Sequence, residues 1–230
     1  MAAPPGLDRR RFLYVLGATL PVLGGVPLLF QRPSPASRGR VASAEEWLIA
    51  AIQDGGKVIY LRHAATVHTQ IDTGRLDNRD GQRNLSPEGM LQAERLGMAL
   101  RALRVPLNRI LTSPVFRARD TADLSFGVDT SEVTMDLVAD DYAGDRLRSM
   151  LEGTKRLLET PPPPGENLVL VGHRTPLEMV TGRAFPDSIL PEGAMAVFLP
   201  GSAAHLLGTI TAEQVVASAV ARGALDQERL

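Results

Sequence analysis

Two short stretches of this chain, Val58–Leu61 and Leu168–Val171, are apolar at every position and do not alternate with polar residues. A strand with one wet face alternates, whereas a strand without alternation is covered on both faces. Parallel sheets flanked by helices meet that demand. Both stretches end alike, in Arg62-His63 after the first and Gly172-His173-Arg174 after the second. In open α/β sheets the working groups collect beyond the carboxyl ends of the strands, so each histidine is a candidate site residue.

The rest of the pattern supplies the other layers. Ala44 to Ile52 reads as a short helix after Ser43, packed at the sheet edge. His68 to Asn84 is polar and too long for a mere connector in a compact domain, and is expected to be a substrate-facing lid. Ser86-Pro87 starts a helix with an apolar stripe at Ala93, Leu96, Leu100 and Leu103. Leu107 to Thr112 is a second strand, followed by Ser113-Pro114 and a helix with Arg117 in its first turn, where free N–H groups and the dipole favour anions. Glu132 to Val138 is expected as a third strand, Asp145 to Leu158 as a helix stopped by Pro161 to Pro164, and Asn167 to Val171 as a fourth strand. Thr175-Pro176-Leu177-Glu178 has the form of a capping box, which makes Glu178 a cap rather than a catalytic acid. Ala194 to Leu199 and His205 to Ile210 are expected as antiparallel edge strands, followed by a helical tail. The expected architecture is α/β, a three-layer α/β/α sandwich with a mostly parallel central sheet.

Composition narrows the chemistry. The chain of 230 residues has a formal net charge of -1, which gives no basis for broad nucleic-acid binding, and it has no cysteine. Disulfides, thiolate zinc sites and a cysteine-nucleophile phosphatase are therefore excluded. At the amino end, Arg9-Arg10-Arg11-Phe12-Leu13 precedes an apolar run to Phe30 softened by glycine and proline. Residues 1–30 are expected to be an export signal resembling the twin-arginine type, or a membrane anchor, with 31–43 a linker and 44–230 the catalytic domain. Ala42-Ser43-Ala44 fits a cleavage site better than Ser34-Pro35-Ala36. The expected location is periplasmic or otherwise exported, with membrane contact only through this segment. Nothing in the sequence sets an oligomeric state.

A neutral imidazole can attack phosphorus and carry the phosphoryl group, while a neighbouring guanidinium offers fixed donors to phosphate oxygens. In order along the chain, L-R-H-A-A-T at 61–66, N-L-S-P-E-G at 84–89, S-P-V-F-R-A-R-D-T-A at 113–122 and V-L-V-G-H at 169–173 resemble the histidine phosphatase superfamily and its phosphoglycerate-mutase-like fold. The resemblance spans about Lys57 to Ile210, with alanine in place of the usual glycine after the motif histidine. It implies phosphoryl transfer without metal or other cofactor, with His63 as nucleophile and Arg62, Arg117, His173 and Thr66 around the phosphoryl group. It further implies Asp141, ahead of Asp140, as the proton donor to the leaving group, or neither, since some small relatives lack this acid altogether. His63 should be neutral and His173 a proton donor, so their surroundings should push the two apart. Small exported relatives such as lipopolysaccharide core heptose phosphatases point to an envelope sugar phosphate as substrate. The alternatives are a phosphohistidine protein phosphatase, a mutase-like phosphotransferase, and a non-catalytic phosphate-binding envelope protein.

Overall fold

The computed structural model describes residues 43–229. The expected export segment at 1–30 and the linker up to residue 42 lie outside the described residues. In chain order the elements are α1 (Ala44–Gln53), β1 (Val58–Arg62), α2 (Pro87–Ala102), β2 (Leu107–Thr112), α3 (Phe116–Phe126), β3 (Glu132–Val133), α4 (Asp140–Ala143), α5 (Leu147–Glu159), β4 (Asn167–Gly172), α6 (Arg174–Thr181), β5 (Met195–Leu199), β6 (His205–Ile210) and α7 (Ala212–Ala221). The six strands form one sheet in the order β3-β2-β4-β1-β5-β6. β1, β2, β3 and β4 run parallel, while β5 joins β1 antiparallel and β6 joins β5 antiparallel.

β1 and β4 are buried at every position, because each lies between two other strands with helices above and below. Ile59, Leu61, Val169 and Val171 face a core shared with Ile49 of α1, Leu96 of α2, Ala118 of α3 and Val215 of α7. Val58, Tyr60, Leu168 and Leu170 face the opposite core, with Leu158 of α5 and Leu177 of α6. The layers are thus the expected α/β/α.

Local chemistry sets the helix ends. The Ser43 hydroxyl accepts from Glu46 N at 3.2 Å while the Glu46 carboxylate accepts from Ser43 N at 3.1 Å, a reciprocal cap that starts α1. The Ser86 hydroxyl accepts from Gly89 N at 3.1 Å with Pro87 in the first turn of α2. Gly89 and Gly97 let α2 lie directly on backbone: a Cβ at either would meet the carbonyl of Ala65 or of Ser125, far inside contact distance. α2 is thereby pressed against the segment that follows His63.

Two sequence expectations are corrected, the length of the third strand and the cap at Thr175, and the helix between them is found. The third strand is only Glu132–Val133, because the Thr134 hydroxyl accepts from Asp136 N and turns the chain into a single 3-10 turn at Met135–Leu137. The helix expected from about Asp145 to Leu158 is α5, Leu147–Glu159, and is preceded by the short α4 from Asp140 and a 3-10 turn at Gly144–Arg146. Gly144 at φ +53° marks the break. Finally, α6 begins at Arg174 with His173 as its N-cap residue, so Thr175 is not a cap and the capping box does not form. Glu178 instead accepts from Phe185 N at 2.6 Å and so ties down the chain beyond α6.

Candidate active site

The parallel register of β1 on β4 pairs Arg62 with Gly172, so residues about 110 apart in sequence leave the sheet side by side. His63 N donates to Gly172 O at 3.1 Å, and the two imidazole centroids stand 5.4 Å apart. Arg117 arrives from the start of α3, whose first N–H groups are settled by a residue of the long polar segment: Phe116 N donates to the Gln82 side chain at 2.9 Å. That segment also contributes directly. Arg62, His63, Asp72, Arg83, Arg117, Asp140, Asp141, His173 and Arg174 line one hollow of about 270 Å³ at the carboxyl edge of the sheet.

Each ring is held in a defined way. His63 Nδ1 lies 2.9 Å from Ala64 O, and a carbonyl can only accept, so Nδ1 carries the proton and Nε2 keeps a free lone pair. His173 Nε2 lies 2.8 Å from the Ser113 hydroxyl, which itself accepts from Val115 N at 3.2 Å. Tyr60, from the middle of β1, fixes the His173 backbone twice: its hydroxyl donates to His173 O at 2.9 Å and accepts from His173 N at 3.1 Å.

Both histidines are held well below the usual imidazole range, first by burial and then by the positive field of Arg117, with Arg62 and Arg83 adding to it. The expectation that their surroundings separate the two is therefore corrected. Both rings face the same guanidinium groups, and His63 adds to the cost of charging His173, so the protein keeps both neutral. A neutral His173 still donates from Nδ1 when Ser113 donates to Nε2.

Both arginines expected at the site are anchored by carboxylates. Arg117 Nη1 donates to Asp72 Oδ1 at 2.9 Å, and the same oxygen accepts from Tyr142 Oη at 2.6 Å and Arg83 N at 2.9 Å. Burial would raise the Asp72 carboxyl, but these three donors outweigh it and hold Asp72 below its ordinary range. Arg62 Nη1 donates to Asp187 at 2.5 Å and to Leu190 O at 2.7 Å. Asp141 is shifted upward by burial and by the carboxylates of Asp72 and Asp140, against the pull of Arg117.

Thr66 is not brought into the hollow. It is buried, and both its N–H and its hydroxyl donate to Glu192, at 3.0 and 2.8 Å. Sequence reasoning missed Arg83, Ser113, Tyr60, Asp187 and Glu192. Arg83 carried a signal in its place within the polar segment; the others are recognisable only by what they touch. Among the described residues there is no group of three or more His, Cys, Asp or Glu placed to hold a metal ion, and no helix long and apolar enough to cross a membrane.

Curated protein sequences contain no match to the chain. Similar solved structures include the protein histidine phosphatase SixA complexed with tungstate, at 14% identity and TM-score 0.48, covering 69% of this chain and 99% of that one. A phosphoserine phosphatase mutant from Entamoeba histolytica is similar at 14% identity and TM-score 0.45, covering 69% and 98%. A mycobacterial glucosyl-3-phosphoglycerate phosphatase is similar at 18% identity and TM-score 0.43, covering 66% and 95%. Residues 58–137, the stretch that carries Arg62, His63 and Arg117, match the family model of the histidine phosphatase superfamily (branch 1).

Proposed function

We propose that this chain is an exported phosphomonoesterase that works through a phosphohistidine on His63, with an envelope sugar phosphate as substrate. One observation carries the phosphoryl chemistry. Among the described residues, five buried side-chain polar atoms lack a hydrogen-bond partner, and four of them belong to residues lining the hollow: Arg62 Nε, Arg83 Nε, Arg117 Nε and His173 Nδ1. Buried N–H groups without acceptors are costly and uncommon. A tetrahedral oxyanion in the hollow brings acceptors to such donors, and its charge matches the guanidinium groups.

The steps follow from the geometry. His63 Nε2, kept unprotonated by the Ala64 carbonyl on the other nitrogen, attacks phosphorus as the ester oxygen leaves on the opposite side. The spread charge on the equatorial oxygens meets Arg62, Arg117 and His173, positioned before the reaction starts. Asp141, shifted toward its protonated form, gives its proton to the leaving oxygen. Water then attacks the phosphohistidine, with Asp141 taking a proton from it, and releases inorganic phosphate.

The export part of the proposal is supported by the Arg9–Leu13 motif and the apolar run after it. The test of the chemistry is release of phosphate from p-nitrophenyl phosphate and a panel of sugar phosphates, with His63→Ala as control. Rapid quenching should trap an acid-labile, base-stable phosphoenzyme in the native protein and none in the variant. Hydrolysis that survives His63→Ala refutes the mechanism, and phosphate binding without release identifies a binding protein instead.

A further inference from the structure

Next to the phosphoryl hollow, and sharing Arg62, Arg83 and Arg174 with it, lies a second hollow of about 410 Å³ that also takes in His68, Asp187 and Glu192. Its charges are not balanced. Asp187 Oδ1 serves both Arg62 Nη1, at 2.5 Å, and Arg174 Nη1, at 2.9 Å. Glu192 Oε1 accepts from the Thr66 hydroxyl at 2.8 Å and lies 3.6 Å from Arg83 Nη2 and 3.8 Å from Arg62 Nη2. Two carboxylate oxygens are thus shared among three guanidinium groups. Arg62 belongs to the phosphoryl site in the reading above, whereas the terminal nitrogens of Arg83 and Arg174 have only these partial partners.

We propose that Arg83 and Arg174 form a second anion subsite, so that the substrate is a phosphomonoester whose leaving group carries a further negative charge, a carboxylate or a second phosphate, a few bonds from the ester oxygen. The inference rests on the phosphoryl-transfer reading of the neighbouring hollow. A guanidinium whose carboxylate is shared has donors left to offer, and a bidentate anion is the ligand that such donors hold best. A neutral alcohol would leave the net positive charge of the shelf uncompensated.

Binding to non-hydrolysable phosphonates tests this separately from turnover. 3-Phosphonopropionate and propylphosphonate have the same length and differ only in a terminal carboxylate against a methyl group. Calorimetric titration of the native protein should give at least about tenfold tighter binding of the carboxylate compound, the size of one charge-assisted contact. That ratio should fall to about twofold or less in Arg174→Gln and in Arg83→Gln, and persist in Arg146→Gln, whose exposed side chain lines neither hollow. Equal affinity of the native protein for the two phosphonates, or a ratio that survives both variants, overturns the subsite. Selective binding in a protein that hydrolyses no phosphate ester leaves the subsite standing and overturns the phosphatase reading. Hydrolysis without selectivity does the reverse.

Discussion

Tyr60→Phe removes one oxygen from the middle of the sheet and should be felt both in stability and at the site. The hydroxyl is fully buried and is shared between the N–H and the C=O of His173, at 3.1 and 2.9 Å. Residue 172 is a glycine packed directly against the Tyr60 hydroxyl, and a Cβ at that position would collide with it. Two backbone groups are therefore left buried without a partner, each costing about 1–3 kcal/mol, or about 2–6 kcal/mol together. Against a total of about 5–15 kcal/mol for an ordinary domain, this is a large fraction. With a urea slope of about 2 kcal/mol per M the unfolding midpoint should fall by about 1–3 M at unchanged slope. Because the bonds that disappear position His173, the rate on phosphate esters should fall as well, in a protein that remains folded in buffer. A midpoint shift below about 0.3 M with an unchanged rate would show that the tyrosine is only a space-filling ring, and would refute the view that β1 positions His173.

Three further outcomes are expected. Gly97→Ala drives a Cβ into the Ser125 carbonyl and should cost about 1–3 kcal/mol in urea unfolding, whereas Gly201→Ala, with nothing nearby and an ordinary backbone, should stay within about 0.5 kcal/mol. His63 and His173 are held neutral in the folded protein, so the unfolded chain takes up two protons that the folded one resists; stability should be flat above pH about 6.5 and fall below it by up to about 2.7 kcal/mol per pH unit. Urea midpoints measured between pH 7 and pH 5.5 check this, and an unchanged midpoint across that window argues against two buried neutral rings. Asp141→Asn should lower the rate on alkyl phosphates by about 10²–10⁴-fold, spare aryl phosphates with good leaving groups, and abolish the loss of alkyl phosphate hydrolysis as pH rises through the raised Asp141 pKa. The same profile in Asp140→Asn would assign the proton to its neighbour.

The expectations that held came from local rules. β1 and β4 were legible because strands buried on both faces cannot alternate, and α1 and α2 because Ser43 and Ser86 offer their hydroxyls to the next turn. The failures were also local patterns, overruled by neighbours. Thr175 looks like a cap, but β4 delivers the chain into α6 one residue after His173, so the helix has already begun. Thr66 looks like a phosphate ligand, but Glu192, 126 residues further along the chain, takes both of its donors.

By itself the sequence determined the layers, the two histidines at strand ends and the arginine at a helix start, because strand burial, helix caps and helix dipoles act over a few residues. The arrangement around the phosphoryl hollow was decided only in three dimensions. Asp72, Asp187 and Glu192 orient the arginines, Ser113 and Tyr60 hold His173, and the shared guanidinium groups keep both imidazoles neutral. Hydrogen bonds and Coulomb fields depend on distance through space, and the parallel register of β1 on β4 brings together groups that the chain keeps more than a hundred residues apart.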